Sequence, residues 1–217
     1  MNSVIIVAGG KGLRMGGDIP KQFLVLKSEP VLMHTIRAFY NWDKNFEIIL
    51  VLPSSQQSYW QLLVEQYGFD IPVKITTGGK TRFESVKNGL LKSSGDIVGI
   101  HDGVRPLVSE KTIKKCYEIS KSHGNAVPCV PIVDSLRVVK NGKNQMIDRS
   151  KYFRIQTPQV FKRAIILKGF EQKFTKEFTD DASVVEKIGE TIQLVDGNEE
   201  NIKITKPFDL KIAEVFL

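Results

Sequence analysis

Short apolar, β-branched runs recur along the chain: "SVIIVA", "FEIILVL", "VKIT", "DIVGIH", "AVPCV", "TIQLV" and "NIKIT". Between many of them lie stretches with the spacing of amphipathic helices, at Val31 to Tyr40, Gln56 to Tyr67, Phe83 to Leu91 and Glu110 to Ser122. Near-continuous apolar strands separated by such helices predict an α/β fold, a Rossmann-like sheet with helices on both faces. Boundary residues agree. Ser109 can cap a helix beginning at Glu110, Asp180 can cap "DASVVEKI", which Gly189 ends, and Pro207 suits the first turn of a last helix running toward Val215.

The alternation of sheet and helix breaks once. From Pro131 to Thr157 the chain reads as an alternating strand, a turn-prone "NGKN" and a second extended segment, which predicts a hairpin protruding from the main sheet. No repeat, low-complexity tract or linker interrupts the rest. The expectation is a single domain over residues 1–217 with an arm at about 132–156, an element of a kind that often meets another subunit.

Composition narrows the function classes. With 217 residues, 41% of them hydrophobic, the chain can bury a core without disulfides or a structural metal. The excess of 31 Lys+Arg over 24 Asp+Glu, a formal +7, favours an anionic partner such as a phosphorylated small molecule, a lipid headgroup or a nucleic acid. Cys116 and Cys129 form no CxxC pair, and His34, His101 and His123 lack zinc-ligand spacing. Neither a basic leader nor an apolar run of about 18 residues is found, so the expectation is a cytoplasmic protein with reduced thiols and no membrane partner.

Five places could carry chemistry. The first is "VAGGKGLRMGGDIPKQF", Val7 to Phe23, far longer than an ordinary strand-to-helix turn. Its glycines let backbone N–H groups face an anion, and Lys11, Arg14 and Lys21 add full charges, which points to a phosphate cradle. Met15 stands where a dinucleotide fingerprint needs its last glycine, and the GK[ST] ending of a P-loop is missing. The second is "TGGKTRFESV", where Gly78 and Gly79 permit close approach and Arg82 and Ser85 could bind a base or a sugar hydroxyl; an ordinary helix start with an exposed arginine fits equally well.

The third place, "GIHDGVRPLVS", puts Asp102 at the end of an apolar strand, where a carboxylate can bind Mg²⁺ together with phosphate and water oxygens. Arg105 could hold a second phosphate, while His101 reads as a packed, hydrogen-bonded residue. The arm supplies Asp134, Ser135, Arg137 and Arg149, which alone would be a solvated face. Lys203 lies in the apolar "NIKITKP", where a strand lysine can simply snorkel at an edge.

Taken in order, "AGGKGLRM", "PKQF", "GGKTRFESV", "HDGVRP", "DRSKYFRIQTPQ", "TDDAS" and "NIKITKPFDL" resemble the motifs of the 2-C-methyl-D-erythritol 4-phosphate cytidylyltransferase family of isoprenoid biosynthesis. The resemblance implies attack of a polyol phosphate on the α-phosphorus of CTP with Mg²⁺ present and pyrophosphate released. It implies Arg14 and Lys21 as transition-state stabilisers and Ala8, Gly9, Gly10, Gly79, Ser85 and Asp102 around CTP, Asp102 near ribose or metal. Arg105, Ser135, Arg149 and Lys203 match positions that hold the methylerythritol phosphate, with Thr157, Thr179 and Asp180 nearby. It also implies a homodimer whose arms are exchanged, so that Ser135 and Arg149 serve the partner's site. The sequence departs from the family at Ser135, where threonine is common, at Arg137, where lysine is common, and at Gly103 and Val104, where small residues such as alanine are frequent.

Other readings share parts of this pattern. D-ribitol 5-phosphate cytidylyltransferases resemble the opening, "PKQF" and the "NIKIT" close, but "RFESV", "DRSKYF" and "TDDAS" are more like the methylerythritol family. Hexose-phosphate nucleotidyltransferases share the glycine-rich opening. A nucleic-acid-binding module would explain the charge, yet the cations are dispersed among loops without an aromatic-basic surface motif.

Overall fold

The computed structural model describes residues 1–10 and 19–217. Its strands are β1 (Asn2–Val7), β2 (Val25–Leu26), β3 (Glu29–Pro30), β4 (Glu47–Leu52), β5 (Lys74–Thr77), β6 (Ile97–Asp102), β7 (Asn125–Pro131), β8 (Leu136–Lys140), β9 (Lys143–Ile147), β10 (Phe153–Ile155), β11 (Gln159–Lys162) and β12 (Leu194–Asp196). The helices are α1 (Val31–Trp42), α2 (Ser54–Tyr67), α3 (Arg82–Lys92), α4 (Glu110–His123), α5 (Arg163–Phe170), α6 (Asp181–Glu186) and α7 (Pro207–Phe216).

The main sheet runs β5-β4-β1-β6-β11-β7, with β10 and β12 also paired to β7. Strands β5, β4, β1 and β6 are mutually parallel, and only then does β11 run antiparallel to β6. The parallel strands therefore end together at Val7, Leu52, Thr77 and Asp102, and the chain passes from each into a loop on the same side of the sheet. That carboxyl edge is where open α/β sheets place ligands.

The apolar runs explain why the sheet is covered on both faces. Val4 and Ile6 of β1 face the cluster formed by Met33, Ile36 and Phe39 of α1 with Ile113 and Tyr117 of α4. Ile5, between them, faces Val86 and Leu90 of α3 and Ile166 and Phe170 of α5. The period-two alternation of a strand thus sends successive side chains into two cores, each apolar. Helix caps lie where the residue types place them: Ser109 accepts from the Thr112 N–H at 3.1 Å, and Asp180 accepts from the Ser183 N–H at 2.9 Å.

The arm is a separate two-stranded sheet, β8 against β9, turning through Asn141 and Gly142. Both turn residues have positive φ, 51° and 74°, which favours the Asn-Gly pair found there. Two expectations are corrected. "NIKIT" is not a strand: the Ile204 N–H donates to the Val104 carbonyl without any ladder forming, and Ile204 packs with Leu26, Val31 and Val104. "TIQLV" contributes only its last two residues to β12.

Candidate active site

A cleft of about 500 Å³ opens at the carboxyl ends of β1, β4, β5 and β6. Ala8, Gly9 and Gly10 line one wall, following β1, and the Ala8 N–H donates to the Val51 carbonyl at 3.0 Å. Lys21 is nearly buried and borders the same space, its stem passing so close to Gly10 that a Cβ there would sit 3.7 Å from Lys21 Cε.

The opposite wall is the turn from β5 into α3. The Gly79 N–H donates to Ser85 Oγ at 3.1 Å, and Ser85 Oγ donates in turn to the Thr81 carbonyl at 2.9 Å. A side chain at Gly79 would collide with Glu84, since its Cβ would lie 2.3 Å from Glu84 Cβ. Ser85 therefore shapes this turn, and the glycine leaves backbone open to the cleft.

At the floor, Asp102 ends β6 among three cations. Its Oδ2 lies 2.9 Å from Lys203 Nζ and 3.3 Å from Arg105 Nε, and its Oδ1 lies 3.9 Å from Arg82 Nε. Burial favours the neutral acid, but Lys203, Arg82 and Arg105 outweigh it and hold the carboxyl well below the usual carboxylate range. Arg105 also donates to the Asn201 carbonyl at 2.7 Å, so it fastens the Lys203 segment to the strand end. Behind them, His101 Nδ1 is 3.0 Å from Thr157 Oγ1, which accepts from the Asp102 N–H. Burial lowers the His101 pKa to about 4, leaving a neutral, packed imidazole at pH 7.

A family model described as "IspD: 2-C-methyl-D-erythritol 4-phosphate cytidylyltransferase" matches residues 2–217. The chain belongs to this family. It is 53% identical over 215 residues to the 2-C-methyl-D-erythritol 4-phosphate cytidylyltransferase of Phocaeicola vulgatus, covering 99% of this chain and 98% of that one. A bifunctional enzyme IspD/IspF from Desulfotalea psychrophila is 38% identical, and the chain spans 56% of it. Among solved structures, a 4-diphosphocytidyl-2C-methyl-D-erythritol synthase from Anaerococcus prevotii matches with a TM-score of 0.83 at 26% identity, covering 99% of this chain and 97% of that one. The 2-C-methyl-D-erythritol 4-phosphate cytidylyltransferase of Thermus thermophilus gives 0.80 at 28%, with 98% and 97% covered.

The cleft of this cytidylyltransferase gathers Ala8, Gly9, Gly10, Lys21, Gly79, Ser85, Asp102 and Lys203, all of them sequence-predicted, while Arg105 stands directly behind Asp102. Arg14 lies outside the described residues. Ser135 and Arg149 are exposed on and beside the hairpin, apart from the cleft lining, and Arg149 donates to the Val133 carbonyl. Arg82, for which the sequence left a base or sugar contact and an ordinary helix start equally open, lines the cleft with its guanidinium paired to Asp181 through bonds of 2.8 and 2.6 Å.

Gln22 carries no role in the sequence reading. Its Nε2 donates to the Ala8 carbonyl at 2.9 Å and to Gln56 Oε1 at 2.8 Å, pinning "PKQF" to the glycine strip. Nothing local in "PKQF" marks this role; the amide's burial and its two acceptors emerge only in the fold.

Proposed function

We infer that this chain transfers the cytidylyl group of CTP to 2-C-methyl-D-erythritol 4-phosphate, giving 4-diphosphocytidyl-2-C-methyl-D-erythritol and pyrophosphate in isoprenoid biosynthesis. The observation that carries the reading is the cleft itself: a glycine-lined strip beside Lys21 on one side, and Lys203 with Arg105 around Asp102 on the other. Family membership favours this acceptor over D-ribitol 5-phosphate and over hexose phosphates.

Transfer begins with a phosphate oxygen of the acceptor attacking the α-phosphorus of CTP. A bond forms there as the bond to the β-phosphate oxygen breaks, and pyrophosphate departs with that electron pair. A phosphate is already anionic at neutral pH, so no general base is needed, and catalysis rests on alignment and charge neutralisation. Lys21 and Arg14 would neutralise the charge that builds at phosphorus. Gly9, Gly10 and Gly79 bring backbone close to the nucleotide, and Ser85 fixes the turn that carries Gly79.

Lys203 and Arg105 would receive the acceptor's phosphate, completed by Ser135 and Arg149 from the exchanged arm of a second copy. Val138, Val139, Met146 and Phe153 are exposed on and near the arm, apolar surface that a homodimer would cover. The domain reading is accordingly one cytidylyltransferase unit over 1–217 with its arm as the dimer element.

Asp102 is the carboxylate that lines the cleft among the described residues; with Lys203, Arg105 and Arg82 already about it, it could give an ion no more than one protein ligand. That fits Mg²⁺, which takes one or two protein carboxylates and draws its remaining ligands from phosphate and water. The ion, when bound, supplies charge neutralisation on the triphosphate. Use of CTP as donor makes the cytoplasm the expected setting; no helix among the described residues is long and apolar enough to cross a membrane.

The test is pyrophosphate release from CTP and Mg²⁺ by purified protein, with the methylerythritol and ribitol phosphates compared at equal concentration. Strong preference for the first is expected. Preference for ribitol 5-phosphate would keep the chemistry and overturn the pathway, and release with neither would overturn both.

A further inference from the structure

Asp181 is fully buried at the first turn of α6, yet its two oxygens are both turned toward Arg82, a residue of a different helix on the cleft wall. The pair is a parallel two-bond fork, the geometry that fixes a guanidinium plane as well as its charge. With Nη1 and Nη2 occupied, Nε is the edge left to face Asp102 Oδ1, at 3.9 Å. Lys203 and Arg105 both approach Oδ2, so the two oxygens of Asp102 meet their cations from different sides.

The anchor behind this clamp is itself hydrogen-bonded. Asp180, which caps α6, accepts from Gln159 Nε2 at 2.8 Å, and Gln159 Oε1 accepts from the Ala182 N–H at 2.8 Å. Gln159 is itself buried at the start of β11, paired to Ile100 of β6. The helix that carries Asp181 is therefore tied to a strand beside the one that carries Asp102. Phe83 stacks on Phe170 at 4.5 Å and on Phe178 at 5.7 Å, walling this side of Arg82.

We propose that Asp181 and Arg82 are positioning residues for the transfer reaction: Asp181 clamps Arg82, and Arg82 sets the orientation of the Asp102 carboxylate toward Lys203 and the cleft. The inference rests on the cytidylyltransferase reading. It assigns "TDDAS" a task at a distance: Asp181 touches no substrate and works through two intermediates, whereas Asp180 serves as the helix cap.

A double-mutant cycle tests it. Asp181→Asn and Asp102→Asn are each expected to lower kcat/KM by roughly 10- to 100-fold, the usual cost of losing the partner that orients a functional group. The double variant should be no worse than Asp102→Asn alone, because the clamp has nothing left to orient. The same cycle is read in CTP affinity by calorimetry, which does not depend on the acceptor. Arg82→Lys, which keeps the charge but cannot serve Asp181 and Asp102 together, is expected to lose about tenfold in kcat/KM on the same grounds while its thermal midpoint stays near that of the parent.

Losses that multiply in the double variant, in rate and in affinity, would assign Asp181 an independent effect and overturn the proposal. So would parental kcat/KM in folded Arg82→Lys, which also decides the matter if Asp181→Asn does not fold. An inactive parent chain would instead count against the cytidylyltransferase reading, leaving the CTP-affinity cycle to judge the clamp.

Discussion

Lys203 Nζ lies 2.9 Å from Asp102 Oδ2, joining a segment without regular secondary structure to the end of a central strand. The lysine is partly exposed to the cleft while the carboxylate is nearly enclosed. The pair thus presents a cation to solvent whose position is fixed from below. On the proposed reading, removing the lysine both deletes a phosphate ligand and takes a compensating positive charge from beside a buried acid. Lys203→Ala should therefore reduce kcat/KM by roughly 10²-fold, the cost of losing one preorganised donor. Lys203→Arg should recover part of it. Steady-state kinetics with acceptor varied at saturating CTP checks both, and an alanine variant with parental kcat/KM would remove Lys203 from the site.

Lys21 differs in being nearly buried and set against Gly10. On the proposed reading, a charge held in that wall is preorganised for a transition state that gains negative charge. Lys21→Ala is expected to lose about 10²–10³ in kcat with little change in KM for CTP. Arg14→Ala should behave alike on the family resemblance. A fall in affinity at unchanged kcat would make both residues ground-state binders.

Gly79→Ala addresses the opposite wall. The added Cβ would come within 2.3 Å of Glu84 Cβ and force the start of α3 away. Overpacking of this kind costs about 1–3 kcal/mol, and here it also displaces the turn that Ser85 braces. KM for CTP should rise more than KM for the acceptor. Equal rises would mean that the turn does not border the nucleotide.

Acid should unfold the protein in two windows. Glu47 is buried, and although burial favours its neutral form, bonds from Lys74, Ser3 and Ser94 bring its pKa down to about 2 from an ordinary 4.5. Because the folded pKa lies below the unfolded one, this stability is complete above about pH 4.5 and is lost as pH falls toward 2. His101 acts with the same sign at higher pH: it stays neutral in the fold down to about 4, whereas the unfolded chain protonates near 6.5. Urea midpoints measured against pH should show both slopes, and Glu47→Gln should make only the lower one shallower, leaving the part that Asp102 contributes there.

The elements that set the site were legible because each carried its own local signal. Apolar runs marked β1, β4 and β6, and cap residues marked α4 and α6. "NIKIT" misled because alternation reports one buried face, and Ile202 and Ile204 bury theirs against Val104 and Leu107 without joining the sheet. The short helix α5 was missed for the opposite reason: "RAIIL" is apolar in nearly every position, so a period cannot be read from it. Arg82 was seen as a cation but not as a bound one, since its partner is 99 residues away and pairing at that range leaves no local pattern.

An exchanged arm, as proposed, would make a prediction that no monomer can satisfy. If Arg149 serves the partner's cleft, Lys21→Ala and Arg149→Ala chains are each inactive alone but damage different halves of a composite site. A dimer with one chain of each kind would hold one site with both defects and one with neither. Random reassortment of an equal mixture should then restore about a quarter of the parental activity. Mixing after denaturation and refolding, with sedimentation to confirm dimers, is the measurement. Activity that stays at the level of the separate variants, although mixed dimers form, would place Arg149 in its own chain's site or in none.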